Sequence, residues 1–395
     1  MAANKLKKPL DEAAQPGTPR PLGLILPGGG SRAAYQVGVI KALSELHGDK
    51  PGNPCPIVCG TSAGAINSIA VASMCDDFST LGEILESLWM ELTPEDIYRT
   101  DWLGISRNAY RLVRSLFNAG VSVGAPLGLL DSRPLRQFLN DRIDFEAVSE
   151  NIKSGTLNAI CITAMDYTEN ESVNFYQGSP RSAPWQRWRR RGVATPIQVR
   201  HLMASSAIPT IFAPQKINNH YYGDGSLRQL APISPALHLG AKKVLVVPAS
   251  GYQKDYVHGA KSIRPPAFGE IIGHLLHSAF VDSIELDLER LERINELVSL
   301  IPEERKGDIA HKLQPIEAMV ISPSEDIDRI AESYTQYLPR SIRTFLKITG
   351  SRSADGGVNI ASYLLFMQPF VSRLIELGYK DAMAQSESIK QFLES

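Results

Sequence analysis

The chain has 395 residues, 43% hydrophobic and 21% charged, with a net charge of −1. That length buries a large core, and the near-neutral balance excludes a protein drawn to nucleic acid by bulk charge. No run reaches the roughly 18 uninterrupted apolar residues of a membrane-spanning helix, so any membrane contact is expected to be peripheral. The first 21 residues are rich in Lys, Pro, Ala and Gly, lack the apolar core of a secretion signal and read as a flexible tail. Cys55, Cys59, Cys75 and Cys161 show no metal-ligand spacing; they read as reduced, packed thiols of a cytoplasmic protein, with no metal or other cofactor expected.

In chain order, Leu22 to Leu26 predicts a short buried strand and Ala33 to Leu46 a helix. Ile57 to Cys59 ends a second strand, and Ala63 to Met74 is a helix of mostly small residues. Residues 81 to 150 read as mainly helical, with turns at Thr93-Pro94 and around Gly120 to Gly128. Asn158 to Ala164 and Ser172 to Tyr176 predict strands, and Pro196 to Ser206 predicts a helix that Pro209 terminates. A helix near Ile233 to Leu239 and a strand at Lys243 to Val247 follow. Past a polar stretch ending near Pro266, Ile284, Leu288, Leu291, Ile294 and Val298 fall at helical steps. A late strand, Glu317 to Ser322, precedes helices through residues 360 to 394. Strand–turn–helix alternation argues for an α/β fold with a largely parallel sheet. One late strand cannot form a sheet alone, so residues 249 to 395 are expected to extend the unit formed by residues 22 to 248.

The chemistry concentrates at three turns. Gly60-Thr61-Ser62-Ala63-Gly64 sets a serine between strand and helix. Glycines two places before and after it remove Cβ atoms that would clash in such an elbow, and the positive end of the following helix faces the serine oxygen. Gly28-Gly29-Gly30 ends the first strand, so its backbone N–H groups can converge on an oxyanion, with the charge of Arg32 alongside. Gly28, Gly30 and Ala33 also fit a dinucleotide-binding fingerprint, but the next strand ends in Cys59-Gly60-Thr61-Ser62 rather than the required acid, which rejects that reading. Asp224-Gly225, after Tyr221-Tyr222-Gly223, offers a carboxylate base.

These segments, with Ser226 after the Asp-Gly pair, resemble in order and context the patatin-like phospholipases. That family combines a G-G-G-x-R-G oxyanion loop, a G-x-S-x-G nucleophile elbow and a D-G-[GA] base motif. The likeness spans about residues 22 to 248, and Ala204-Ser205-Ser206-Ala207-Ile208-Pro209 resembles a further block of the family. Ala33 stands where the loop's last glycine belongs, and Ser226 where glycine or alanine does; neither removes a catalytic side chain. The resemblance implies a three-layer fold with a mainly parallel central sheet and a largely helical C-terminal extension. It implies a Ser–Asp dyad of Ser62 and Asp224, and an oxyanion hole from Gly28 to Gly30 with Arg32 nearby. A carboxylate of ordinary pKa, about 3.9, is a poor base for serine. Partial desolvation corrects that, and Tyr221-Tyr222 are expected to provide it.

The implied activity is lipid acyl hydrolysis of phospholipase A or lysophospholipase type, with a lipid as substrate. An acyltransferase or thioesterase could use the same dyad, and a non-catalytic lipid-binding scaffold is a rival of another class, disfavoured by the retained serine. A Ser–His–Asp triad needs a late histidine. His238, His258, His274, His277 and His311 qualify by order only, and the paired His274 and His277 read as structural. Trp185, Arg187, Trp188, Arg189, Arg190 and Arg191 form a dense basic and aromatic patch. They read equally as an interfacial anchor or as a solvated loop with one tryptophan packed inward.

Overall fold

A computed structural model describes residues 20–99, 101–117, 128–180, 182–251, 268–280, 282–302, 315–348 and 360–394. Strand β1 (Leu22–Leu26) passes through a tight 3-10 turn (Gly30–Ala33) into α1 (Ala34–His47), and β2 (Ile57–Thr61) runs into α2 (Ala63–Met74). Helices α3 (Phe78–Glu91), α4 (Pro94–Ile97), α5 (Trp102–Phe117), α6 (Arg133–Arg142) and α7 (Phe145–Ser154) follow. Then come β3 (Ala159–Asp166), β4 (Glu171–Gly178), β5 (Trp185–Arg187), β6 (Arg190–Ala194), α8 (Val199–Ser205), β7 (Gln215–Ile217), β8 (His220–Asp224), α9 (Ser234–His238) and β9 (Lys243–Val246). The remainder comprises α10 (Phe268–Phe280), α11 (Asp282–Ser299), β10 (Glu317–Val320), α12 (Ile327–Tyr334), α13 (Arg340–Ile348), α14 (Ala361–Leu364), α15 (Gln368–Met383) and α16 (Ser386–Glu394). The tail, His258, His311 and most of the Gly120 to Gly128 turn lie outside the described residues.

The strands form one sheet in the order β10-β9-β1-β2-β3-β4-β6-β5. From β10 to β3 every pairing is parallel. Strands β1 and β2 are buried along their whole length, as expected of parallel strands covered on both faces. Leu22, Leu24 and Leu26 face a large core shared with α1, α2, α3 and the C-terminal helices. Ile25, Ile57 and Cys59 face the opposite side, where Ile233 just before α9, Ala236 of α9 and Ile284, Leu288 and Leu291 of α11 cover the sheet. This is the α/β three-layer arrangement, and β10 joins it by pairing with β9.

Two features position the site. The C-terminal helix α15 lies directly on α1: a Cβ on Gly38 would strike the Ile375 carbonyl, and one on Gly378 the Tyr35 carbonyl. The second is a change of partner along β3. Strand β2 follows β3 up to Thr61, opposite Thr163. Strand β8 then takes the same flank antiparallel, with Asp224 opposite Ala164. The end of β2 and the end of β8 thus meet head to head, one register step apart.

The predicted helix from Pro196 begins at Val199 instead. Gln198 is extended, and its N–H donates to Nδ1 of His201 at 3.0 Å, a side-chain cap that starts the helix there. Residues 185–191 form the β5–β6 hairpin rather than a loop. Because β4 is antiparallel to β3 and pairs Ser172 with Arg190 of β6, the hairpin turn leaves the sheet at the end where β1, β2 and β3 finish.

Candidate active site

Ser62 joins β2 to α2 with φ 55° and ψ −128°, a left-handed conformation that is strained for a residue with a Cβ. Two close approaches hold it. A Cβ on Gly60 would meet Ser68, Ala65 and the Gly64 carbonyl, and one on Gly64 the carbonyls of Leu26 and Pro27. Helix α2 therefore starts in contact with the ends of both β1 and β2. The Ser62 N–H donates to Ser205 Oγ at 2.8 Å, and that hydroxyl donates to the Thr163 carbonyl at 2.6 Å. A side chain of α8 thereby pins the elbow to β3.

Asp224 is wholly buried. Its N–H donates to the Ala207 carbonyl at 2.9 Å, and its Oδ1 accepts the Ser226 N–H at 2.9 Å. Oδ2 is buried and accepts no hydrogen bond of ordinary length. Burial pushes the carboxyl up to about 6, against the opposing pull of the Ser62 hydroxyl and of Ser226. The Ser62 hydroxyl thus favours the charged carboxylate without forming a hydrogen bond to it. Tyr167 packs on Gly223 nearby, and its own hydroxyl is raised by burial and by the Asp224 charge. Of the expected pair, Tyr222 is buried against Phe175, while alternation along β8 leaves Tyr221 exposed. A chain of buried polar groups lies behind Ser62 and Asp224: Thr61 donates to Gln229 at 2.6 Å, Gln229 to Thr163 at 3.1 Å, and Thr163 to Asn174 at 2.9 Å. Ser205 falls within the block whose resemblance was noted, but nothing in the sequence marks Gln229.

The glycine loop sits beside Ser62. Among the described residues, the N–H groups of Gly28, Gly29 and Gly30 are not taken by a protein acceptor. Gly30, at φ 57°, lies so close to the Tyr363 carbonyl that a side chain cannot enter. The Arg32 side chain does not stand free beside this loop as expected. It is 2% exposed, with Nη2 on Asp328 Oδ1 at 2.5 Å, Nε on Ser362 Oγ at 2.9 Å and its plane 4.1 Å from the Tyr363 ring centre. The Ser31 hydroxyl donates to the Ser362 carbonyl at 2.7 Å. A buried guanidinium requires a carboxylate, and the one that serves it lies 296 residues away, beyond the reach of any local pattern.

A narrow apolar pocket, with only about 30 Å³ of enclosed space, opens on Ser62. Ile66, Trp89, Phe138, Leu139, Phe212 and Phe366 form much of its wall, from five separate parts of the chain. Sequence reading named none of them, since each alone looks like an ordinary core residue. Ser206 also lines it, with a buried Oγ lacking a hydrogen-bond partner.

The basic patch divides. Trp185 stacks between Tyr176 and His238 at centroid distances of 5.1 and 4.8 Å. Arg191 pairs with Glu171 at 2.6 Å and Asp166 at 3.1 Å, and Arg190 is half-buried. Arg187, Trp188 and Arg189 are exposed at the turn, Trp188 by 84%. His238 and His201 are pushed down to about 4, chiefly by burial, and among the described residues no histidine hydrogen-bonds to Ser62 or Asp224. No helix among the described residues is long and apolar enough to cross a membrane.

Two expectations follow from the buried charges. Asp224 carries a raised folded pKa, so its contribution to stability falls as pH rises from its unfolded value through about 6. Asp224→Asn should therefore raise the unfolding midpoint at about pH 8 and lose that advantage below about pH 4, as thermal denaturation across pH will show. Asp328→Asn should leave Arg32 uncompensated, lowering stability by about 3 kcal/mol in denaturant titration. By loosening the glycine loop it should reduce kcat more than KM.

The patatin-like phospholipase family model matches residues 24–237. Over 57 residues the chain is 49% identical to lysophospholipase nte1 of Aspergillus terreus, a stretch covering 14% of this chain and 3% of that much longer protein. Among solved structures it is similar to VipD from Legionella pneumophila, with 14% identity, TM-score 0.35, and coverage of 98% of this chain and 71% of that one. It is also similar to human GIVD cytosolic phospholipase A2 in complex with methyl gamma-linolenyl fluorophosphonate, with 13% identity, TM-score 0.44, and coverage of 97% and 60%. Since the family match takes in more than half of the chain, the protein belongs to the patatin-like phospholipase family.

Proposed function

We propose that the protein is a lipid acyl hydrolase of phospholipase A or lysophospholipase type, working through Ser62 and Asp224. The observation that carries this reading is the meeting of the strained Ser62 turn with a buried, half-satisfied carboxylate at the mouth of an apolar cavity. The apolar lining suits a fatty acyl chain once the narrow pocket widens to admit one, since each buried methylene gains about 0.8 kcal/mol.

In the proposed reaction Ser62 Oγ attacks the ester carbonyl while its proton passes to Asp224 Oδ2. The carbonyl oxygen takes the negative charge and accepts hydrogen bonds from the Gly28 to Gly30 amides. The bond to the alcohol then breaks, the alcohol leaves with the proton from Asp224, and Ser62 is acylated. A water gives its proton to Asp224 and attacks the acyl carbonyl. Ser62 is released with that proton, and the fatty acid departs. A base held near 6 is ionised at neutral pH yet more basic than an exposed aspartate. The turn bearing Arg187, Trp188 and Arg189, at the sheet end that carries Ser62, supports peripheral contact with a lipid surface.

A fluorophosphonate probe should label the wild type and spare Ser62→Ala; absence of labelling in the wild type would sink the hydrolase. Asp224→Asn should lose at least about 10³-fold in kcat with the fold intact. The wild-type kcat/KM should rise with pH through about 6 as Asp224 ionises. A histidine variant with an equally large loss would replace the dyad by a triad. Trp188→Ala should weaken binding to phospholipid vesicles and leave turnover of a soluble short-chain ester unchanged; an equal loss on both would assign the hairpin to the active site instead.

A further inference from the structure

The wall of the acyl cavity has a second side. Helix α6 turns Leu135, Phe138 and Leu139 toward the cavity, and Arg133 and Arg136 toward a separate, solvent-open cleft of about 300 Å³. The parallel bridge between Leu130 and Phe212 is shared in the same way, with Phe212 on the apolar side and Leu130 and Ala213 on the other. Across the cleft stand Arg107, Asn108 and Arg111 of α5.

Charge in this cleft is out of balance. Arg107, Arg111, Arg133 and Arg136 line it against one carboxylate, Asp131. Asp131 is held by Arg133, with Nε and Nη2 on Oδ2 at 2.8 and 2.5 Å. Arg136 donates to Gln215 at 2.7 Å. The amide groups of Asn108 and Gln215 donate to the carbonyls of Leu129 and Ala213. Arg107 and Arg111, one helical turn apart, have no ion pair or hydrogen bond with any described residue. Residues 102 to 130 contain no Asp or Glu, so the adjoining chain brings no counter-charge. Guanidinium groups gathered without partners in a walled cleft concentrate anions, and their planar donor pairs match the oxygens of a phosphate.

We propose that this cleft binds the phosphate of an anionic membrane lipid and so seats the wall of the acyl cavity against the bilayer. The proposal rests on the reading of the Ser62 cavity as an acyl site. Phosphate is favoured over a carboxylate ligand because two unpaired guanidinium groups, Arg107 and Arg111, share the cleft and a phosphate diester offers an oxygen to each. Lipid is favoured over a soluble phosphate because the same wall lines a cavity suited to lipid tails.

The full chain and its Arg107→Gln/Arg111→Gln variant can be compared by cosedimentation with phosphatidylcholine vesicles, with and without phosphatidylglycerol. The wild type should prefer the phosphatidylglycerol vesicles by roughly tenfold or more, less at high salt. The variant should lose most of that preference while Trp188 remains in place. Its labelling by fluorophosphonate and turnover of a soluble ester should match the wild type, which shows that it folds. The Arg107→Lys/Arg111→Lys variant keeps the charge without the planar donors and should fall between. A glutamine variant that retains the full preference overturns the proposal. Thermal stabilisation by inorganic phosphate, lost in that variant and unaccompanied by any vesicle preference, also overturns it and assigns a soluble phosphate ligand. A wild type that prefers anionic vesicles but resists fluorophosphonate would overturn the hydrolase reading alone.

Discussion

The constraint on which the rest depends is the succession of two strands along one flank of β3. Strand β2 must end after Thr61 for β8 to begin pairing at Ala164. The chain leaving β2 then has almost no room, because Gly225 already lies against Thr61 and the Thr163 carbonyl. The tight turn at Ser62, the glycines at 60 and 64 and the buried end of β8 are consequences of that one junction. It also explains why α8 lies where it does, since Ser205 bonds to both sides of the junction, the Ser62 N–H and the Thr163 carbonyl.

Two buried ionisable groups flank the junction and are treated in opposite ways. Arg32 is fully compensated by a carboxylate, a hydroxyl and an aromatic face. Satisfied in this manner, a buried charge organises the structure around it, and here it ties the glycine loop to Asp328 and Ser362, outside the span of the family match. Asp224 instead keeps one oxygen without a partner. That costs stability when the group is ionised, and the burial behind it raises proton affinity. The C-terminal segment thus does more than cover the sheet. Tyr363 stands behind Gly30, and Tyr363 and Phe366 help to wall the cavity.

The surroundings of the junction are sorted by polarity. Apolar side chains face the cavity on one side of α6, arginines face solvent on the other, and an exposed tryptophan marks the hairpin turn at the sheet end that carries the serine. An amphiphile demands this kind of separation, because its tail must leave water while its head stays hydrated.

The sequence by itself determined the local geometry. Alternating strands, turns and helices implied the parallel sheet, and Gly60, Ser62 and Gly64 implied an elbow, because steric limits on φ and on strand–helix approach act over a few residues. The three motifs in order were enough to place the family. Only the tertiary structure decided how distant pieces meet. It turned Arg32 away from the loop toward Asp328, put Tyr167 rather than Tyr221 beside Asp224, folded residues 185 to 191 into a hairpin that packs Trp185 inward, and assembled the cavity from Trp89, Phe138, Phe212 and Phe366. Each of these depends on burial against residues far away in the chain, and burial is a property of the packed whole that short-range patterns do not encode.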